Sequence, residues 1–173
     1  VNVLEAYPRD DLFQIDEDTL FSFALALMRL DERPRVRVLP RRDRFDRFVS
    51  VLVFLPRDRY GSGARLAIGN MLADAYAGRV SAFYPVFLEG PLVRVHYIIG
   101  RSGGDAPDPQ RADLEDAVSR IVRTWADDLE DALVLAHGAE QGGALLRRYQ
   151  GAFSGAYRES FPAAAAVSDI RIV

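Results

Sequence analysis

The run Phe48–Leu55, FVSVLVFL, confines this chain more than any other stretch. Its β-branched and aromatic composition, closed by Pro56, marks a strand. The two-residue strand period puts Phe48, Ser50, Leu52 and Phe54 on one face and Val49, Val51, Val53 and Leu55 on the other. Leu92–Ile99 alternates in the same way, with Val93, Val95, Tyr97 and Ile99 opposing Leu92, Arg94, His96 and Ile98. Between them, Gly61-Ser62-Gly63 opens a helix over Ala64–Ala77, for which Gly78 fits the C-terminal cap. Val80–Leu88 follows as a third strand and is joined to Leu92–Ile99 by the turn Glu89-Gly90-Pro91, while Pro85 pushes it toward an edge or a bulge.

Upstream, Asp16 serves as N-cap and Asp16-Glu17-Asp18 announces a helix striped by Leu20, Ala24, Leu27 and Met28. Pro34 stops it. A short strand, Val36–Leu39, and a polar turn, Arg41–Arg47, then lead into Phe48. The order α-β-β-α-β-β is a circular rearrangement of the split β-α-β-β-α-β pattern, an α+β fold with a four-stranded antiparallel sheet and two helices on one face. The other face should be polar but is only half so. It mixes Phe48, Leu52 and Phe54 with Arg37, Ser50, Arg94 and His96, the seven residues expected to form an effector site or an interface.

Composition narrows the chemistry. Among 173 residues there is no cysteine and no lysine, and all 22 cationic side chains are arginine, which excludes disulfides, thiolate nucleophiles, Schiff bases and a P-loop lysine. The two histidines, His96 and His137, are too far apart for a local HExxH-type site, and the acidic pairs Asp10-Asp11, Asp16-Asp18 and Asp127-Asp128 lack the pattern of a calcium loop, so no metal is expected. Gly100-Arg101-Ser102-Gly103-Gly104 has the GxSxG form but no helix follows at once, and a linker explains its glycines better. The start at Gly61 fails as a dinucleotide fingerprint because position 66 is leucine. No apolar run approaches the ~20 residues of a membrane helix.

Charge is unevenly placed. Arg29–Arg59 holds ten arginines and five acids, a net +5, whereas Asp105–Glu140 holds ten acids and three arginines, a net −7. Opposite blocks in one chain attract each other or neighbouring domains, and no nucleic-acid partner is expected from a chain of net charge −3.

By organisation, residues 1–15 lead in, 16–101 form the α+β domain, 102–108 a linker, 109–161 a helical segment, and 162–173 the start of a truncated next domain ending in the strand-like Ile170–Val173. The helical segment opens with one long helix, Pro109–His137, striped by Leu114, Val118, Ile121, Trp125, Leu129, Ala132 and Ala136. The first residue is valine, and the chain is expected to be cut from something longer.

Several segments carry a family resemblance. Tyr7–Ile15 (YPRDDLFQI), Arg41–Phe45 with Arg47–Ser50, Pro56–Tyr60, Pro91–His96 and Arg123–Leu129 occur in the order seen in the large bacterial NAD-dependent glutamate dehydrogenases. One departure is Arg44 and Asp46, where that family is expected to carry proline and glycine. The resemblance implies an ACT-type regulatory region that precedes the catalytic domain of a cytoplasmic enzyme converting L-glutamate to 2-oxoglutarate and ammonia. It places the NAD site and catalytic lysine of that parent elsewhere, and none of its cofactor in this stretch. It further implies a homo-oligomer whose partners are neighbouring domains, other subunits and an amino-acid effector. The alternative is an oligomerisation module with no small-molecule ligand.

Overall fold

The computed structural model describes residues 15, 17–32 (at 19 and 26–32 the backbone alone), 35–88, 90–104 and 107–170. The expectations for residues 1–14, the Asp16 cap, the Leu27 and Met28 side chains, the Pro34 stop, Glu89 of the turn, Asp105 and Ala106 of the linker, and a strand over 171–173 lie outside the described residues. The chain divides into two compact units, Val1–Val122 and Arg123–Val173.

The first unit contains α1 (Glu17–Glu32), β1 (Arg37–Arg42), β2 (Phe48–Pro56), a 3-10 turn (Arg57–Arg59), α2 (Ser62–Ala75), β3 (Arg79–Phe87), β4 (Leu92–Gly100) and α3 (Arg111–Ile121). Its four strands form one antiparallel sheet in the order β1-β2-β4-β3. This is the expected α+β fold. Pro85 lies on an edge strand, and the register shifts between Val80 and Ala82, so that strand carries both features its proline suggested.

The pair of helices on one face is not the expected one. Val38, Val49, Val51, Val53, Leu55, Val93, Val95, Tyr97 and Ile99 pack against Ile68 and Leu72 of α2 with its C-cap Tyr76, and against Leu114 and Val118 of α3 with its C-cap Val122. Phe23 of α1 belongs instead to the opposite face, with Leu39, Leu52, Phe54 and Leu92. The split pattern is therefore met as β-β-α-β-β-α. The reason is topological: β4 is central, and the chain leaving it returns over the same face as α2 through residues spaced i, i+4, i+8.

Turn chemistry departs from expectation at two sites. Arg41 and Arg42 still pair with Ser50 and Val49, so β1 extends beyond Leu39 and the turn shortens to 43–47. Asp46 there has φ +53°, the left-handed conformation that explains why the resembled family would carry glycine at that position. At the end of α2 the left-handed residue is Ala77 (φ +47°) and not Gly78. The Gly78 amide donates to Ala73 O (2.8 Å) and the Ala77 amide to Asp74 O (3.2 Å), a Schellman motif. Gly78 is needed for a close approach, since a Cβ there would meet Gly100 O at 2.7 Å.

The second unit contains α4 (Trp125–His137), α5 (Ala139–Tyr149), α6 (Gly155–Ser160) and α7 (Ala163–Ile170). The single long helix is corrected to two, α3 and α4. Thr124 starts the second with a capping box: its side chain accepts from the Asp127 amide, and Asp127 Oδ2 accepts from the Thr124 amide at 2.8 Å. Asp127 thus caps a helix. The restart divides the stripe: Leu114 and Val118 go to the sheet core, and Leu129 goes to a core with Ala163, Ala166 and Ile170, where Leu133 takes the place expected of Ala132 and Ala136, the latter exposed. Ala-rich residues 163–170 are helix where a lead into a strand was expected. Trp125 donates Nε1–H to Phe161 O (3.0 Å) and packs edge-on and tilted against Tyr157 and Phe153.

Candidate functional site

The register assembles the face opposite the helical layer row by row. Arg37 aligns with Phe54 and Arg94, Leu39 with Leu52 and His96, and Arg41 with Ser50 and Ile98. β3 extends the first two rows with Val86 and Tyr84. Period-two alternation therefore brought the expected residues to one face. Ser50 Oγ and His96 Nε2 share a buried hydrogen bond of 2.8 Å, a diagonal pair across β2 and β4. The Tyr84 ring lies beside the imidazole, centroids 6.1 Å apart. Two arginines, Arg41 and Arg94, lie on the same face and are at least as buried as His96.

This face, too apolar to stay wet, is covered: Ser50, Leu52 and Phe54 are 1% exposed, Arg94 7% and His96 9%. Phe23, with Ile15 and Leu88, packs on its apolar part. Arg37 does not present its head to the face. Its Nη1 donates to Glu115 Oε2 of α3 at 2.6 Å, while Glu115 Oε1 also accepts from the Val38 amide, so this arginine ties the edge strand to a helix. Phe48 is half-buried at the sheet end, 6.0 Å from the Arg47 guanidinium. Sequence reading missed Leu39, Arg41, Tyr84 and Phe23 on this face. Continuing the alternation of β1 two residues further would have found Arg41.

Beside the face, the β1–β2 hairpin is tightly held. Asp43 accepts from the Phe45 and Arg47 amides and from Arg47 Nε (2.7 Å) and Nη2 (3.1 Å). The Arg47 guanidinium holds the Asp43 carboxyl down at about 2. Arg101, its side chain 1% exposed, donates to Tyr76 O and Gly104 O and faces Asp46 at 3.4 Å. The GxSxG stretch is thus strapped at its arginine to the hairpin and to the end of α2. Burial pushes the Tyr76 phenol up to about 12 and raises that of Tyr97, so neither ionises near neutral pH.

The β3 edge differs from the interior. It exposes Phe83 (37%), Tyr84 (57%), Val86 (37%) and Phe87 (54%). Arg65 and Arg57 stack over Phe83 and Phe87 at 4.2 and 5.1 Å. Among the described residues no group of three or more His, Asp or Glu side chains could hold a metal, and no helix is long and apolar enough to cross a membrane.

Comparison with known proteins places this geometry. The family model for the glutamate dehydrogenase ACT2 domain matches residues 37–126, beginning at β1 and taking in α3. Models for glutamate dehydrogenase helical motifs 1 and 2 match residues 1–33 and 132–173. Curated relatives include NAD-specific glutamate dehydrogenases from Halomonas elongata (36% identical over 171 residues, 99% of this chain and 11% of that one) and Pseudomonas aeruginosa (37% over 169 residues, 98% and 10%). A third, from Mycobacterium tuberculosis, is 29% identical over 185 residues, covering 100% of this chain and 11% of that protein. This chain therefore spans about a tenth of the length of the relatives it matches. With more than half of its residues inside the ACT2 match, the chain belongs to the NAD-specific glutamate dehydrogenase family.

Proposed function

We propose that this chain is a non-catalytic regulatory and assembly region of a cytoplasmic NAD-dependent glutamate dehydrogenase, the catalytic part of which, with NAD, converts L-glutamate to 2-oxoglutarate and ammonia. The observation that carries the reading is the β3 edge. A nine-residue edge strand with four exposed large apolar side chains is a surface built to be covered. Neighbouring domains and other subunits of a homo-oligomer are its partners. Sedimentation velocity of the chain and of its Phe83→Glu plus Phe87→Glu variant tests this: salt-resistant association that the double substitution abolishes is expected. Association unaffected by those changes would remove β3 as the assembly surface, and glutamate-dependent NAD reduction by the rigorously purified chain would overturn its non-catalytic role.

A second reading, an amino-acid effector, is favoured by the Ser50–His96 pair set between two nearly buried arginines. Such a cluster offers hydrogen-bonding groups and positive charge suited to a carboxylate. A ligand that binds only the folded state raises the melting temperature. A thermal-shift screen of amino acids is expected to show a rise that Arg94→Met or His96→Ala removes. No shift with any of them leaves the pure oligomerisation module as the reading.

A further inference from the structure

The tip of the β1–β2 hairpin is rigid and presents an apolar side chain to water. Phe45 is 73% exposed, although a phenylalanine gains from burial. Four hydrogen bonds to the Asp43 carboxylate fix the loop around it, and Asp46 beside it holds a left-handed conformation unusual for a side chain other than glycine. The Arg47 guanidinium lies 5.1 Å from the Phe45 ring centroid, and Arg44 is exposed next to it. An aromatic ring and arginines held in a fixed geometry are what interface anchors consist of, because little ordering entropy remains to be lost on binding.

The matching surface has the opposite charge and the same apolar exposure. On the outer side of α4, Leu135 is 90% exposed and Val134 36%. Glu130 and Asp131 stand one helical turn before them, and all four are helix neighbours at i, i+4. Arg47 is bonded to Asp43 within the tip, and Asp131 of α4 to Arg123, so Arg44 and Glu130 carry the charge match. We propose that the Phe45 tip of one copy docks on the outer face of α4 of a second copy, Phe45 against Val134 and Leu135, and Arg44 against Glu130. The contact is separate from the β3 edge and differs from it in being steered by charge.

Sedimentation equilibrium of the 173-residue chain, run from low to high salt, tests it. The expected result is a reversible association that weakens as salt rises and that Phe45→Ala weakens about tenfold or more. Arg44→Glu should weaken it as well, and the second change Glu130→Arg should restore it. All three side chains are exposed, so circular dichroism should report an unchanged fold. Association indifferent to Phe45→Ala, or charge reversal without restoration, would overturn the contact. Association that is salt-resistant and lost only with the β3 variant would overturn it too, while leaving the assembly reading in place.

Discussion

The two units hold themselves together differently. In the first, a sheet of valines, isoleucine and tyrosine is closed by two helices, and its core residues, from Val38 to Val118, are almost fully buried. In the second, the buried core is small, Leu129 and Leu133 against two alanines and Ile170, and it is finished by a half-buried aromatic rim of Trp125, Tyr149, Phe153 and Tyr157. The sheet unit gains its stability from apolar volume. The helical unit depends more on close backbone approach and on ring contacts at its surface, and Gly142 is where that approach is tightest: a Cβ there would lie 2.8 Å from the backbone of Leu133 and Val134. A side chain lost from a packed core leaves a cavity, whereas an atom added at a close backbone approach forces its neighbours apart.

Leu72→Ala breaks the comparison hardest. It empties a fully buried position between α2 and the sheet and should cost about 2–5 kcal/mol in urea unfolding. Gly142→Ala tests the other half. The added methyl must force α4 and α5 apart, at about 1–3 kcal/mol. Trp125, the only tryptophan, lies in the helical unit and reads it selectively. Its emission should be blue-shifted and resistant to quenching in the parent chain, and red-shifted by Gly142→Ala but not by mild loss of sheet stability. Retention of the parent spectrum in the Gly142 variant would mean that the helical unit has slack its packing does not suggest.

Acid distinguishes the units more gently. The Asp43 carboxyl titrates near 2 in the folded sheet unit, below its ordinary 3.8, because Arg47 bonds to its charged form. A depressed carboxylate contributes stability that is present above the unfolded value and lost as pH falls through the folded one. Stability of the sheet unit should therefore fall between about pH 4 and pH 2, and Asp43→Asn should flatten that part of the profile while lowering stability at pH 7. An unchanged acid profile in the Asn variant would remove the Asp43–Arg47 pair from the account. The smallest effect expected is a gain. Ala77 occupies the left-handed cap of α2 while exposed to solvent, and Ala77→Gly should raise stability by roughly 0.5–1 kcal/mol, seen as a higher urea midpoint with the same slope.

What the amino-acid sequence determined by itself is whatever depends on neighbours within one element. Alternation along β2 and β4 assigned Val49 and Val93 to one face and Ser50 and His96 to the other, because side chains in a strand must alternate. Pro85 marked an edge strand because it lacks a ladder donor. Even the Thr124-x-x-Asp127 capping box, which ends the notion of one long helix, is local and was there to be read. Only the tertiary structure decided which helix covers which face. Chain order alone made α1 and α2 partners, but β4 lies at the centre of the sheet, so α3 takes the place beside α2 and leaves Phe23 of α1 to the opposite face. Arg37 left its strand face for the same kind of reason: its length lets it reach Glu115, and a charge near the edge of a sheet is better satisfied by a carboxylate than left against apolar neighbours. Such pairings join residues 78 positions apart in the chain, and no period within a strand or helix encodes them.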